Sequence, residues 1–245
     1  MPDSYLPKDK ELALEEHLSE LRKRLIIVLL AIGIITIVVY PFSDTLIFTL
    51  KTDLLSEDVR LIVLGPVDYI VARVKMAALC ALVVGIPLII FETFQFMRPG
   101  LFPSEERFLL TVVPSSILLF VTGAALSYFA LAPLALGHLV SYTGEVVTPA
   151  LVLSRFVSFI TFMLLSFGLI FQIPLVVWLL LKSNLIRVRD LKRKRKYVYA
   201  VLIVGGVLLS PEPTPLTPLF VTAALVIIYE ISVFVASVSF KHRDK

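Results

Sequence analysis

Glu15-Glu16-His17-Leu18-Ser19-Glu20-Leu21-Arg22-Lys23-Arg24-Leu25 leads without a break into a long apolar run. On a helical wheel Leu14, Leu18, Leu21 and Leu25 share one stripe, while Glu16, Glu20 and Lys23 fall on the opposite side. Glu20 precedes Arg24 by four residues, the favourable order for a helical ion pair. This pattern predicts an amphipathic helix lying at a membrane surface, with a basic end that fixes which surface it is. The apolar residues that follow predict the first of several membrane-crossing helices.

Composition agrees with that reading. Hydrophobic residues make up 58% of the chain and charged residues 17%, with a mean hydropathy of +0.93. Soluble proteins carry about 25% charge, so the chain reads as an integral membrane protein. Cys80 is the single cysteine, which excludes an internal disulfide, and His17, His138 and His242 have no metal-ligand spacing. No cofactor is expected. The first apolar run follows a polar lead-in and lacks a small-x-small cleavage pattern, so it is expected to be a retained span.

Six apolar segments are predicted as helical spans at 21–42, 76–97, 108–132, 156–181, 197–209 and 219–240. The first four match the ~20 residues that a hydrocarbon core of ~30 Å requires of a helix, and alternating β-barrel patterning is absent. The fifth differs: residues 197–209 are only about 20 Å of helix at 1.5 Å per residue. They end at Ser210-Pro211-Glu212-Pro213-Thr214-Pro215-Leu216-Thr217-Pro218, which cannot continue as regular helix. The expected architecture is a single all-α membrane domain in which short fifth and sixth helices form a hairpin within a concave bundle. A fifth helix that starts earlier and spans normally, with its lysines snorkelling, is the alternative.

Charge sets the expected orientation. With a cytoplasmic N-terminus, one side receives Lys8, Lys10, Arg22, Lys23, Arg24, Arg98, Arg107, Lys182, Arg187, Arg189, the run Lys192-Arg193-Lys194-Arg195-Lys196, Lys241, Arg243 and Lys245. Lys51, Arg60, Arg73, Lys75 and Arg155 are left for the other. That bias predicts both termini in the cytoplasm. The run at 192–196 lies between spans, so topology and lipid headgroups explain it ahead of nucleic acid. Residues 43–74 and 133–155 are then outer loops, the first with room for a short cap.

No nucleotide-binding glycine loop, zinc-binding His-Glu pair or Ser/His/Asp set is visible, so no enzyme activity is expected. The isolated glycines in spans suit close helix packing. Several polar residues lie in or near the spans, where they are costly. Glu92 and Gln95 sit near the cytoplasmic end of the second span, where solvation at the interface explains them. Gln172, two residues before Pro174, either satisfies the carbonyl freed by that proline or binds a partner helix. Glu230, about twelve residues into the sixth span, is either neutral and hydrogen-bonded or paired with a basic group. Ser104 with Glu105-Glu106-Arg107 reads as an ordinary helix start. Alternatively, Glu20 and Glu105 form an acidic pocket on one membrane face, suited to a guanidinium-bearing partner because Arg binds carboxylates bidentately.

His17-Leu18-Ser19-Glu20-Leu21-Arg22-Lys23-Arg24-Leu25 resembles the N-terminal motif of the TatC family, the multispanning subunit of the twin-arginine protein translocase. Phe96-x-x-Pro99-x-Leu101-Phe102-x-x-Glu105 resembles that family's first cytoplasmic loop. Tyr128-Phe129, Ser158-Phe159, Arg195-Lys196-Tyr197-Val198 and Tyr229-Glu230-Ile231-Ser232-Val233-Phe234 are further points of likeness, which runs from about Leu14 to Phe240.

The resemblance implies recognition and not catalysis. The chain would be a signal-peptide receptor and core subunit that exports folded proteins across the cytoplasmic (inner) membrane on the proton-motive force. Glu20 and Glu105 would bind the paired arginines of a cargo signal peptide, with Arg22, Phe96 and Leu101 shaping the surroundings. TatA-like and TatB-like single-span proteins would be its partners, contacting Gln172, Glu212, Thr217 and Glu230, and the chain would self-associate in a larger complex. Departures from the family pattern include Gln172 where Glu is frequent, and Pro211-Glu212-Pro213 in place of Pro-Pro-Asp. A small-solute transporter is the alternative. It would call for repeated halves with matching interrupted helices, whereas the proline-dense turn occurs only in the second half.

Overall fold

A computed structural model describes residues 7–57, 59–97, 106–141, 150–182, 186, 188–208 and 216–239. Helix α1 (Pro7–Val39) is one unbroken rod of 33 residues, about 50 Å long. Between Glu11 and Ile32 it contains no glycine or proline and is rich in Leu, Glu, Arg, Lys and Ala, all good helix formers. The charged lead-in therefore continues the axis of the first span, and no separate surface-lying helix forms. Leu18, Leu21 and Leu25 are exposed, whereas Glu20 and Arg24 are half-buried and face the third helix.

A 3-10 turn at Tyr40–Phe42, holding Pro41, passes α1 into α2 (Ser43–Leu54). Ser43, Ile47, Leu50 and Leu54 form its buried stripe, at helical steps of four, three and four. Strand β1 (Arg60–Ile62) follows, then α3 (Pro66–Met97). The expected outer loop at 43–74 is thus mostly helix, and α3 begins ten residues before the predicted span. Polar pairing allows this extension. Tyr69 Oη donates to Asp44 Oδ1 at 2.6 Å, and Arg73 Nε lies 3.2 Å from the same oxygen while its guanidinium covers the Tyr40 ring at 4.6 Å. Arg24–Glu92, Ile32–Gly85 and Ser43–Arg73 contacts then run in opposite sequence directions, so α1 and α3 are antiparallel.

Helix α4 (Glu106–Leu126) continues through a π segment, Ser127–Leu131, into α5 (Ala132–Ser141). Pro133 lacks an N–H and would clash with the carbonyl four residues back in a regular helix. The wider π turn just before it lets the helix continue, past the predicted end at 132. Strand β2 (Ala150–Val152) pairs in parallel with β1, with Arg60 opposite Ala150 and Ile62 opposite Val152, tying the two expected outer loops together. The fourth predicted span divides into α6 (Leu153–Ile170) and α7 (Ile173–Lys182) at Phe171–Gln172. Pro174 then occupies the first turn of α7, where its missing N–H has no intrahelical partner to lose.

Helix α8 (Val188–Arg193) precedes the last pair, α9 (Arg195–Leu208) and α10 (Leu216–Ser239). Among the described residues, four stretches are long and apolar enough to cross a membrane: His17–Leu54, Pro66–Thr93, Val112–His138 and Leu153–Lys182. They correspond to the first four predicted spans. Helix α9 has 14 residues, about 21 Å, and α10 has 24, about 36 Å. The shortness expected of both hairpin arms belongs to α9 alone.

The core lies around α6, which packs on both α3 and α4. Phe156, Val157, Ile160, Met163 and Phe167 are buried there together with Met76 and Leu79 of α3. Helices α4 and α6 meet at two glycines. A Cβ on Gly123 would lie 2.5 Å from the Phe167 carbonyl oxygen, and one on Gly168 would strike the Phe120 ring. Side chains of ordinary size would push these helices apart, so the packing role expected of span glycines holds here. Gly33 and Gly205 have open space around them and do not share it.

Candidate functional site

The polar face of α1 carries His17, Glu20 and Arg24 at helical steps of three and four, and α3 presents Glu92 and Phe96 one turn apart. Antiparallel packing brings these two sets together. Arg24 Nε donates to Glu20 Oε1 at 3.1 Å, and Nη2 reaches the same oxygen. Its third contact is with the other helix, where Nη1 donates to Glu92 Oε2 at 3.0 Å. One guanidinium therefore bridges carboxylates 72 positions apart in sequence (Glu20 and Glu92). Farther along the same seam the His17 and Phe96 rings stack, with centroids 4.2 Å apart and planes at 20°.

Exposure separates the two carboxylates. The Glu20 side chain is 31% exposed, Arg24 22% and Glu92 12%. Glu20 is the most exposed of the three, and Glu92, the most enclosed, holds the arginine from the neighbouring helix. The formal charges of Glu20, Arg24 and Glu92 sum to minus one, with Arg22 and Lys23 between the first two in sequence. Arg22 is exposed and takes no part in this cluster. Leu101 and Glu105 lie outside the described residues. So does Ser104, and the described α4 begins at Glu106.

Glu92 and Arg24 were assigned too little by sequence reasoning, the first as an interfacial group and the second as a helical pair partner only. Their spacing held the available signal. Glu20 and Arg24, like Glu92 and Phe96, are four residues apart, so each helix sets its pair on a single face.

A second polar contact lies deeper. Ser116 Oγ of α4 donates to Gln172 Oε1 at 2.6 Å, and Gln172 Nε2 donates back to the Ser116 carbonyl at 3.0 Å. Gln172 thus bonds across to α4, where the sequence had offered the proline-freed carbonyl or a partner helix. At the hairpin, Tyr199 Oη donates to Glu230 Oε1, and Arg195 Nη2 sits 3.0 Å from Glu230 Oε2. Of the two states considered for Glu230, the one paired with a basic group is present. Tyr229 Oη donates to the Leu191 carbonyl at 3.1 Å, joining α10 to α8. Glu212 and the side chain of Thr217 lie outside the described residues.

The family model for Sec-independent protein translocase protein (TatC) matches residues 16–224. The chain belongs to the TatC family. The TatC protein of Methanocella arvoryzae is 37% identical to it over 229 residues, covering 94% of this chain and 95% of that protein. The chloroplastic TATC protein of Arabidopsis thaliana is 32% identical over 224 residues, covering 91% of this chain and 66% of the relative. A crystal structure of a twin-arginine translocase receptor, TatC, superposes with a TM-score of 0.80 at 30% identity, covering 91% of this chain and 98% of that one. The resemblance drawn from the motifs at residues 17–25 and 96–105 therefore extends over most of the chain. TatC membership gives the chain a part in protein transport.

Proposed function

We propose that this chain is the signal-peptide receptor and core subunit of a twin-arginine translocase, exporting folded proteins across the cytoplasmic membrane on the proton-motive force. Six helices cross that membrane, α9 being the short one, and both termini face the cytoplasm. Glu20 and Glu105 hold the paired arginines of the signal peptide, with Arg22, Phe96 and Leu101 around them. TatA-like and TatB-like single-span proteins dock by way of Gln172, Glu212, Thr217 and Glu230, and the chain self-associates in the assembled complex.

The observation that supports this reading most directly is the guanidinium on Glu20. Arg24 meets that carboxylate in a half-exposed setting beside the stacked His17 and Phe96 rings. An arriving arginine would find the same acceptor, reachable from water. Family membership and the full-length likeness to a twin-arginine translocase receptor support it independently. They give the small-solute reading no support.

The test is binding of a synthetic twin-arginine signal peptide to the full chain in lipid nanodiscs. Glu20→Ala and Glu105→Ala should each weaken binding by about tenfold, the scale of one charge-assisted hydrogen bond. Unchanged binding in the double variant rules out the pocket. Binding should also weaken as salt rises from ~0.01 M to ~0.15 M, because the group is half-exposed.

A further inference from the structure

Arg24 occupies the place that a ligand arginine would take on Glu20. Two of its nitrogens face Glu20 Oε1 and the third faces Glu92 Oε2. An incoming guanidinium must share Glu20 with Arg24 or displace it. Displacement into water would forfeit the whole ion pair, but Glu92 gives Arg24 a second carboxylate on the neighbouring helix. Glu92 is the least exposed of the three groups, so it is better placed to keep an internal partner than to meet a peptide.

We propose that Arg24 is an exchangeable internal occupant of the arginine site and that Glu92 is its holding position, so that the pair sets affinity and selectivity for the signal peptide. In the empty receptor the Arg24 guanidinium bridges both glutamates. On binding, the peptide guanidinium takes Glu20 and Arg24 withdraws onto Glu92. A lysine ammonium, a strongly hydrated point charge that cannot form a bidentate pair with a carboxylate, competes poorly with Arg24. Discrimination between paired arginines and paired lysines thus comes partly from the occupant and not only from the acceptors. The inference rests on Glu20 being an arginine acceptor, as proposed above.

Four variants of the full chain in nanodiscs, Glu20→Gln, Arg24→Gln, Glu92→Gln and the double Arg24→Gln/Glu92→Gln, test it. Each is titrated with a twin-arginine peptide and its twin-lysine counterpart. Arg24→Gln should strengthen twin-arginine binding about threefold and twin-lysine binding more, so that selectivity falls. Glu92→Gln should weaken twin-arginine binding by about fivefold, since Arg24 then has Glu20 alone; a half-exposed pair is worth about that much. In the Arg24→Gln background the Glu92 substitution should have no effect, because Glu92 acts through Arg24.

A Glu92→Gln penalty that persists without Arg24 overturns the proposal, since Glu92 would then attract the peptide directly. Unchanged selectivity in Arg24→Gln overturns it as well. Glu20→Gln keeps the two readings apart: undiminished binding there defeats the acceptor site itself, whereas loss of binding there with unaffected Arg24 and Glu92 variants defeats only the exchange. Should Arg24→Gln lose helicity, Arg24→Lys retains the charge without the fork, and its selectivity should fall in the same direction; unchanged selectivity there overturns the proposal too.

Discussion

Gly206 of α9 and Thr222 of α10 approach so closely that a methyl group on the glycine would meet Thr222 at Oγ1, at Cβ (3.0 Å) and at Cα (3.1 Å). Rotating the threonine side chain relieves only the first of these contacts. Helix α9 is too short to gain much from length, so this backbone-level approach, together with the Arg195–Glu230 and Tyr199–Glu230 contacts, holds it on α10.

Two neighbouring substitutions separate packing from helix propensity. Gly206→Ala should lower stability by about 1–3 kcal/mol, the usual cost of overpacking. Gly205→Ala, with open space around it, should be neutral or slightly stabilising because alanine favours helix. Thermal unfolding in detergent checks both. Equal effects of the two changes would show that the close approach does not govern the hairpin.

Gln172 and Ser116 exchange two hydrogen bonds between α4 and the α6–α7 break. Interhelical hydrogen bonds in membranes contribute about 0.6 kcal/mol on average and up to about 1.7. Gln172→Ala should cost near the upper end of that range, because it leaves the Ser116 hydroxyl without its acceptor. Ser116→Ala in the Gln172→Ala background should then add little. Additive losses in a double-mutant cycle of unfolding midpoints would contradict the pairing.

Much of this architecture could be read from the sequence, for identifiable reasons. Apolar length located the four long spans, whereas most of the proline-dense stretch that follows α9, residues 210–215, lies outside the described residues. The edges failed where polar residues satisfy each other outside the apolar zone. Asp44, Tyr69 and Arg73 carry helix into what composition marked as loop. Pro174 reads from sequence as a proline inside one span that frees a carbonyl, but whether it bends that helix or starts a new one depends on packing against α4. The site was half legible. Glu20 could be singled out by its motif, but Glu92 became part of the same cluster only when α1 and α3 were packed antiparallel. Nothing within either helix encodes that alignment. The surface-lying lead-in failed for a related reason: an amphipathic wheel shows that two faces differ, not which one meets protein.

Tyr128, at the second position of the π segment, donates through its hydroxyl to Asp53 Oδ2 at 2.5 Å. That bond links the irregular stretch of the third span to the last turn of α2. Tyr128→Phe retains the ring and removes only the donor, so a loss on the order of 0.5–1 kcal/mol is expected. It should be local, since β1–β2 pairing and the buried stripe of α2 remain. Hydrogen exchange should accordingly speed up in the last turn of α2 and around 127–131, with the α3–α6 core unaffected. Asp53→Asn, which still offers an acceptor oxygen, should have the milder effect. Faster exchange throughout the bundle in Tyr128→Phe would instead make this contact part of the core's cooperative unit.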